Sequence, residues 1–380
     1  MKIRYLIVVA LLQLIGLQSY SLNGWMGARE ALADWKDEWA KTVKAAEKEG
    51  QVTIYISGYR AVVDSGAFQQ KYPKIKVVSV TGSGSTLTPR IAAERRAGKY
   101  LTDVYGGGGN SLFQVLYLGR MLDSIKSTFI LPEVADPSGW WEGKHKFVDR
   151  EEEKIFVYEG NVSAGATPGY NTKLLKPRKY RSYWDFLDPK LKGKVVSVDL
   201  TKVRGAGLMW QYLYYHPRLG PEFVRRFFSE MDVTMTGSLR QAVDWLATGK
   251  HHLCLPCRDV ADGNRQGLPV DSFANDQFKE GMSLSSAFGQ MALMKNAPHP
   301  NAAKVFINWY LSREGQSAFQ KVMSKPGSPK DSRRDDVSKD HIPEQDRRQK
   351  GVKYFDGDNP DVKDIRPIIK QLKQIMAAKR

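Results

Sequence analysis

Short apolar runs alternate with amphipathic stretches along the first third of the chain. Residues 34–49 have helical periodicity, and the apolar runs 52–56, 75–80 and 103–105 follow, with a second helical stretch at 87–97. Short runs rich in β-branched residues predict strands, and apolar positions spaced three and four apart predict helices. The alternation therefore predicts an α/β fold with a mainly parallel sheet flanked by helices.

The middle of the chain repeats this pattern and the end departs from it. Strands are predicted at 194–198 and 233–235, with a helix at 208–215, which gives a second α/β unit. Residues 325–361 are rich in proline and charge, which predicts an extended arm or partial disorder. Residues 362–376 are amphipathic and predict a helix that docks back onto one of the units.

The length and composition fit two hydrophobic cores and an anionic partner. Single cores usually stop growing at roughly 250–300 residues. This chain has 380 residues, of which 42% are hydrophobic. The formal net charge of +17 is compatible with nucleic acid, a membrane surface or an acidic small molecule. No zinc-finger, RNA-recognition or basic-zipper pattern is present, so nucleic acid is not expected as a partner.

The first residues have the pattern of a secretory signal peptide. Lys2 and Arg4 precede an apolar run at 5–17, and the small residues Ser19 and Ser21 follow. We therefore expect residues 1–21 to be removed and the mature protein to lie in the periplasm. The alternative is a retained membrane anchor, although the run is shorter than the ~20 residues that span a bilayer.

Glycine-containing turns follow each of the three predicted strands of the first unit. Residues 81–86 read TGSGST, residues 57–59 read SGY, and residues 107–110 read GGGN. Ligands of parallel sheets bind beyond the carboxyl ends of the strands, so backbone N–H groups and a helix N-terminus could bind an anion here. The alternative is an ordinary N-cap turn without a ligand. The glycine spacing does not fit a dinucleotide-binding fingerprint, and no cofactor is expected.

Five segments resemble the periplasmic binding proteins of ABC importers, in the class of ferric-ion, thiamine, polyamine, sugar-phosphate and aminoalkylphosphonate binders. They are 49–55 (EGQVTIY), 170–175 (YNTKLL), 184–195 (WDFLDPKLKGKV), 296–304 (NAPHPNAAK) and 311–316 (LSREGQ). Together they extend over most of the region from Trp35 to Lys325, and their order is typical of this class.

The resemblance implies a two-lobed type II periplasmic-binding-protein fold with a hinge of two crossings, near 156–170 and 271–283. The ligand would lie in the cleft and stabilise its closure. The implied division assigns 34–160 and 276–325 to lobe 1, 161–275 to lobe 2, and 326–380 to a C-terminal arm with a helix that docks on a lobe. The implied protein is a monomer that delivers its ligand to the membrane permease of an ABC importer.

The resemblance also implies ligand-binding positions on both lobes. In lobe 2, members of the class present a turn and a helix N-terminus where this chain has residues 199–207. Arg204 is the natural counter-charge there, because a guanidinium can bind a carboxylate or phosphate through two parallel hydrogen bonds. A solvated surface arginine is the alternative. The complete predicted set is Ser57, Gly58, Tyr59, Ser83, Gly84, Ser85, Thr86, Gly108, Gly109, Asn110, Tyr170, Thr201, Arg204, Gly205, Ala206 and Arg258.

Ferric-ion members of the class use adjacent tyrosines in lobe 2, on the segment before the return crossing. Here residues 253–259 read LCLPCRD, and the pair Tyr214 and Tyr215 occurs earlier, in an aromatic stretch that fits core packing better. We therefore predict a small phosphate-, phosphonate- or carboxylate-bearing ligand. A ferric-iron-binding protein of an ABC importer is the alternative.

Cys254 and Cys257 are the only cysteines, and in an oxidising compartment they are expected to form a disulfide. The adjacent His251 and His252 are weak evidence for a metal site, because neighbouring side chains face different ways, so no metal site is predicted.

No nucleophile elbow or metalloprotease helix is present, and the protein is expected not to be an enzyme. An exported hydrolase or a surface protein without a transport role is the second alternative.

Overall fold

The computed structural model describes residues 35–108, 110–149, 151–200, 207–325 and 328–378. In this part of the chain the strands form a six-stranded, a five-stranded and a three-stranded sheet. The strands are β1 (Gln51–Ile56), β2 (Lys76–Thr81), β3 (Val104–Gly106), β4 (Leu122–Asp123), β5 (Ile155–Val157), β6 (Asn161–Ser163), β7 (Gly169–Asn171), β8 (Val195–Val198), β9 (Thr234–Thr236), β10 (Leu253–Cys254), β11 (Val270–Ser272), β12 (Ser283–Ser285), β13 (Gln290–Met294) and β14 (Phe355–Asp356).

Helices cover the faces of the two larger sheets. They are α1 (35–49), α2 (Arg60–Asp64), α3 (Ala67–Lys71), α4 (Gly84–Arg96), α5 (Pro132–Ala135), α6 (Gly207–Tyr215), α7 (Gly220–Glu230), α8 (Leu239–Ala247), α9 (Val260–Arg265), α10 (Pro300–Leu311), α11 (Arg313–Met323) and α12 (Arg366–Ala378). A π-helix lies at Leu112–Tyr117, and 3-10 helices lie at Lys126–Thr128, Pro137–Gly139, Trp141–Gly143, Pro177–Lys179, Tyr183–Leu187, Pro189–Leu191, Glu344–Asp346 and Pro360–Val362. Among the described helices, none has the length and apolar character to cross a membrane.

Lobe 1 contains the six-stranded sheet, in the order β2-β1-β3-β13-β4, with β5 also paired to β13. β1 runs parallel to β2 and β3, with Tyr55 opposite Val80 and Tyr105. β13 returns from the later part of the chain and runs antiparallel to β3. Buried residues of β1, α10 and α11 pack in one core on this sheet. The predicted β-α-β pattern is therefore present, and β13, from the later part of the chain, completes the sheet.

Lobe 2 contains the five-stranded sheet, in the order β11-β7-β10-β8-β9. β8 runs parallel to both β9 and β10, so the carboxyl ends of these three strands share one edge. A separate core rich in aromatic residues, including Tyr183, Phe223 and Phe273, packs on this sheet. Each lobe thus has its own core, as the length of the chain predicts, and a third cluster around Tyr55 and Tyr105 packs on the lobe 1 sheet.

The three-stranded sheet joins the lobes. β6 and β12 pair antiparallel, with Ser163 opposite Ser283. β6 lies within the first predicted crossing, 156–170, and β12 begins at the last residue of the second, 271–283. β14 pairs parallel to β12, with Phe355 opposite Ser283. This third strand was not predicted from the sequence, and it carries the C-terminal segment from lobe 1 to lobe 2.

The C-terminal segment is an extended arm with buried contacts, and α12 docks on lobe 2. Arg334 is 1% exposed, and its guanidinium bonds Asp336 Oδ1 at 2.8 Å and the Glu133 carbonyl oxygen at 2.7 Å in lobe 1. Ile368 and Leu372 of α12 belong to the lobe 2 core. α12 begins four residues later than predicted because a 3-10 helix occupies Pro360–Val362. On these contacts we retain 34–160, 161–275, 276–325 and 326–380 as the proposed divisions.

Candidate functional site in the interlobe cleft

Three loops of lobe 1 lie at the shared carboxyl edge of β1, β2 and β3, because those strands are parallel. The loop after β3 packs closely on its neighbours. A Cβ at Gly107, whose φ is 143°, would lie 2.8 Å from Ser57 Cβ, and a Cβ at Gly108 would lie 2.0 Å from the Ala287 carbonyl oxygen. Glycine is therefore required at both positions for the loops to meet. We call the space between this edge and lobe 2 the interlobe cleft.

Three hydroxyl groups cluster at the N-terminus of α4. Ser83 is the N-cap residue, and its Oγ lies 2.9 Å from Ser85 Oγ and 2.7 Å from Thr86 Oγ1. All three residues are exposed, and the first turn of α4 contains no acidic residue. Gly84, Ser85 and Thr86 lie inside α4, which begins earlier than the predicted residue 87 because Ser83 adopts extended backbone angles. The hydroxyl groups therefore surround the positive end of a helix of 13 residues.

Tyr105 lies beneath this helix terminus. A Cβ at Gly84 would lie 2.5 Å from Ser111 Oγ and 3.3 Å from Tyr105 Oη, so both hydroxyl groups adjoin the first turn of α4. Tyr105 is fully buried, and its hydroxyl has no hydrogen-bond partner in the described part of the chain. Burial also raises the pKa of Tyr105 above its ordinary value, which keeps the phenol neutral. A neutral buried phenol can donate to an oxygen atom, and sequence reasoning missed this residue because β3 read only as a core strand.

The loop after β1 is more enclosed than the sequence predicts. Ser57 is 2% exposed, and Gly58, at a φ of 97°, approaches the ring of Phe288. Tyr59 is buried, and its hydroxyl donates to Glu159 Oε2 at 2.5 Å. Burial raises the pKa of Tyr59 well above its usual value. The Tyr59 hydroxyl is thus committed to a carboxylate of its own lobe.

Four of the predicted positions in lobe 2, Thr201, Arg204, Gly205 and Ala206, lie outside the described residues, as does Gly109 in lobe 1. After β8 the described chain continues through the buried Asp199 and Leu200, and it resumes at Gly207, the first residue of α6. Residues 201–206 therefore connect the carboxyl end of β8 to the N-terminus of α6 along the chain.

A direct contact joins the lobes at this place. Gln211 Nε2 of α6 donates to Asn110 Oδ1 of lobe 1 at 3.2 Å. A Cβ at Gly207 would lie 3.6 Å from Asn110 Nδ2. Gln211 is fully buried, and its Oε1 has no hydrogen-bond partner in the described chain. The predicted residue Asn110 thus meets lobe 2, whereas Gln211 was missed because it stands in an aromatic helix.

Arg258 follows β10 at the same edge of the lobe 2 sheet. The sulfur atoms of Cys254 and Cys257 are bonded, 2.14 Å apart, and Thr167 Oγ1 donates to the Cys257 carbonyl oxygen at 2.6 Å. Arg258 is exposed. Tyr170 instead pairs with Leu253 inside the sheet and is largely buried, so the structure does not bring it together with Arg258.

The residues considered for metal binding lie apart from this site. Tyr215 Oη donates to the Asp364 carbonyl oxygen at 2.5 Å, and it stands at the end of α6 that is farther from Gly207. His251 is buried beside Trp245, and burial lowers its pKa, which favours the neutral ring. Within the described ranges, no group of three or more His, Cys, Asp and Glu residues could hold a metal ion.

A protein-family model described as bacterial extracellular solute-binding protein matches residues 49–317. An uncharacterized protein of Haemophilus influenzae is 23% identical over 289 residues, which cover 72% of this chain and 76% of the relative.

Solved structures with a similar fold include three binding proteins. The Trichodesmium protein IdiA (FutA), in complex with iron and citrate, has a TM-score of 0.62 at 20% identity and covers 86% of this chain and 99% of its own. The ferric binding protein from Campylobacter jejuni has a TM-score of 0.61 at 15% identity, with coverages of 85% and 99%. The periplasmic binding protein AfuA from Actinobacillus pleuropneumoniae, with fructose-6-phosphate bound, has a TM-score of 0.53 at 20% identity, with coverages of 87% and 97%. The expected two-lobed periplasmic-binding-protein fold is confirmed.

Proposed function

The chain belongs to the bacterial extracellular solute-binding protein family, and we propose that it captures a small anionic solute for an ABC importer. The solute carries a phosphate, phosphonate or carboxylate group and is bound in the interlobe cleft without being chemically changed. One observation carries this proposal: three exposed hydroxyl groups and a buried, unpartnered phenol converge on the N-terminus of α4.

This end of lobe 1 favours negative charge for physical reasons. The N-terminus of a helix has unpaired N–H groups and a partial positive charge, and both stabilise an anion. The hydroxyl groups of Ser83, Ser85 and Thr86 bond one another through Ser83 Oγ, which uses two of their three O–H donors and leaves one to donate to a ligand. Tyr105 is buried at the same place, where an unsatisfied polar atom costs free energy until a partner arrives. A bound oxyanion would accept hydrogen bonds from the exposed donors of this helix terminus.

Lobe 2 would complete the site through the turn that precedes α6. Arg204 is proposed to bind the anion from this side, with Thr201, Gly205 and Ala206 supplying further donors, and Arg258 lies on the neighbouring loop. The contact between Asn110 and Gln211 holds the two sides together at the same point. A ligand that contacts both lobes favours the closed arrangement over the open one.

Ferric iron is the second candidate ligand, because one similar structure is a complex with iron and citrate and another is a ferric binding protein. The adjacent tyrosines argue against direct phenolate coordination, because Tyr215 donates to the C-terminal segment. Iron held through a bound anion would use the same hydroxyl cluster. We further propose that the protein is an exported monomer whose signal segment is 1–21 and that it hands its ligand to the permease without a cofactor.

Calorimetric titration with small phosphates, phosphonates and carboxylates tests the proposal. We expect Arg204→Ala to weaken binding of the tightest of these anions by roughly 1.5–3 kcal/mol, and Arg204→Lys to restore part of the loss. Arg240→Ala is the matched control, since Arg240 has an 85% exposed side chain on α8. Unchanged affinity in Arg204→Ala would remove Arg204 from the site. Uptake of bare ferric ion with a phenolate charge-transfer band would replace the anion with iron.

A further inference from the structure

A dense basic surface covers one end of lobe 2. Within residues 173–194 there are two acidic residues, Asp185 and Asp188. The same segment contains eight exposed cations, Lys173, Lys176, Arg178, Lys179, Arg181, Lys190, Lys192 and Lys194. We call this surface the basic pole.

The cations of the basic pole are not neutralised by their neighbours. Within the ranges that the structure describes, none of the eight forms an ion pair, whereas Arg226 on the adjacent α7 pairs with Glu230 at 2.9 Å. The two acidic side chains bond backbone groups instead. Asp185 Oδ2 accepts from the Arg181 backbone N–H at 2.7 Å, and Asp188 Oδ1 accepts from the Lys190 backbone N–H at 2.9 Å.

The basic pole lies away from the interlobe cleft. Lys194 immediately precedes the first residue of β8, whereas Asp199 follows its last residue and leads to the cleft. Strands rise about 3.3 Å per residue, so the four residues of β8 separate the two ends by more than about 10 Å. Lys194 therefore lies at the end of β8 opposite the cleft, away from the bound solute.

Apolar groups stand among these cations. Leu174 is 47% exposed between Lys173 and Lys176. Tyr180, Trp184 and Leu187 line a depression of about 510 Å³, whose charged lining consists of Lys179, Arg226, Asp185 and Asp188. Cations interleaved with aromatic and aliphatic groups are the composition of surfaces that sit at the boundary of a lipid bilayer.

We propose that the basic pole binds the anionic lipid surface of the membrane that holds the permease. Each cation near such a surface is attracted to lipid phosphate, and exposed cations without acidic partners retain that attraction. A protein of an extracellular binding family works outside the cytoplasm, and this setting favours lipid phosphate over nucleic acid as the anion. The site is separate from the solute cleft, so its failure would leave the proposed function untouched.

Co-sedimentation of the full-length mature protein with vesicles tests this proposal. We expect binding to vesicles of phosphatidylglycerol and phosphatidylethanolamine, weakening with added salt, and none to phosphatidylcholine vesicles. Replacing Lys173, Lys176, Lys179 and Lys192 with Gln should weaken vesicle binding at least about ten-fold. The matched control replaces Lys36, Lys41, Lys44 and Lys48 of α1, also exposed, with Gln and should change binding less than about two-fold.

Three results would overturn the proposal. Equal losses in both variants would show a non-specific effect of net charge. Absence of vesicle binding by the wild-type protein would exclude a lipid surface. The protein could instead bind soluble polyglutamate as tightly as it binds the vesicles, through the same four lysines. That result would identify an acidic polymer as the partner. Circular dichroism and thermal unfolding check that each variant is folded.

Discussion

Gln211 of lobe 2 donates a hydrogen bond from Nε2 to Oδ1 of Asn110 in lobe 1, over 3.2 Å. Asn110 follows the third strand of the lobe 1 sheet, and Gln211 lies one turn into α6. The bond spans the interlobe cleft, so it can form only when the lobes are close together. It is therefore a contact that favours the closed arrangement.

The first prediction is that this bond contributes to closure. We expect Gln211→Ala and Asn110→Ala each to shift the unliganded protein towards the open arrangement, by about 1 kcal/mol for a hydrogen bond between neutral groups. Small-angle scattering should show a larger radius of gyration for both variants. The double variant should add little to either single one, because the two residues share one interaction. Independent, additive increases would contradict a shared contact.

The strands of lobe 1 can be predicted from the sequence, but the hydrogen bond between Gln211 and Asn110 cannot. Residues 52–56 have apolar and β-branched side chains whose pattern matches a strand buried on both faces, so β1 follows from local chemistry. Gln211 has Trp210, Tyr212 and Leu213 as its sequence neighbours, and these residues predict only that the helix packs in a core. Its partner is set by how the lobes meet, which no local pattern encodes.

The C-terminal arm was predicted from its charge as extended or partly disordered. A high content of charged residues does not by itself show that a segment is disordered. In this arm Arg348 donates from Nε to Asp331 at 2.8 Å and is largely buried. The composition of a segment shows how polar it is. Whether its charged side chains are buried depends on whether they find acidic partners in the folded chain, as Arg348 does with Asp331. β14 was missed because two residues are too short to give a periodic pattern.

The second prediction concerns Glu159, which lies just before β6. It is fully buried, accepts from Tyr59 Oη at 2.5 Å and from Asn161 Nδ2 at 2.6 Å, and has Lys330 Nζ at 3.8 Å. Burial raises the pKa of Glu159 from 4.5 to about 7, against the opposing effect of Lys330. The native protein therefore holds this proton more tightly than the unfolded chain does.

A raised native pKa gives stability that is fully present below pH 4.5 and is lost as the pH rises through about 7. The shift from 4.5 to about 7 corresponds to about 3 kcal/mol of unfolding free energy, and we expect Glu159→Gln to remove this pH-dependent loss. Urea unfolding at a series of pH values measures it. Glu344→Gln, at an exposed residue, is the control. An unchanged pH profile in Glu159→Gln would show that Glu159 does not titrate in this interval.

The third prediction concerns the buried pair Asp358 and Lys363 beside the three-stranded sheet. Asp358 accepts from the Ser286 backbone N–H at 2.8 Å and from Gln290 Nε2 at 2.9 Å, and Lys363 Nζ lies 3.4 Å from its Oδ1. Asp358→Ala leaves a buried lysine without a counter-charge, and we expect a loss of about 3–5 kcal/mol in unfolding free energy.

Chemical denaturation measures that loss. Asp340→Ala, at an exposed acid, should change stability by no more than about 0.5 kcal/mol. The double variant Asp358→Ala, Lys363→Met should recover part of the loss, because it removes the unpaired charge as well. A double variant less stable than Asp358→Ala would show that the lysine stabilises the fold through other contacts.

The fourth prediction concerns the bond between Cys254 and Cys257, whose side chains are fully buried. The loop that it closes is very short, so the bond removes little entropy from the unfolded chain. Replacing both cysteines with alanine should therefore lower stability by about 2 kcal/mol or less, with anion affinity nearly unchanged. Exported protein denatured without reductant should take up no maleimide. Quantitative labelling would show that the thiols are free in the exported protein.

The interlobe cleft is proposed to hold a small anion, and native mass spectrometry of protein purified from the periplasm of its host tests this most directly. Denaturation should release the retained molecule for identification. We expect a phosphate-, phosphonate- or carboxylate-bearing metabolite, chemically intact and bound once per chain. Ferric ion retained without any accompanying anion would contradict the claim.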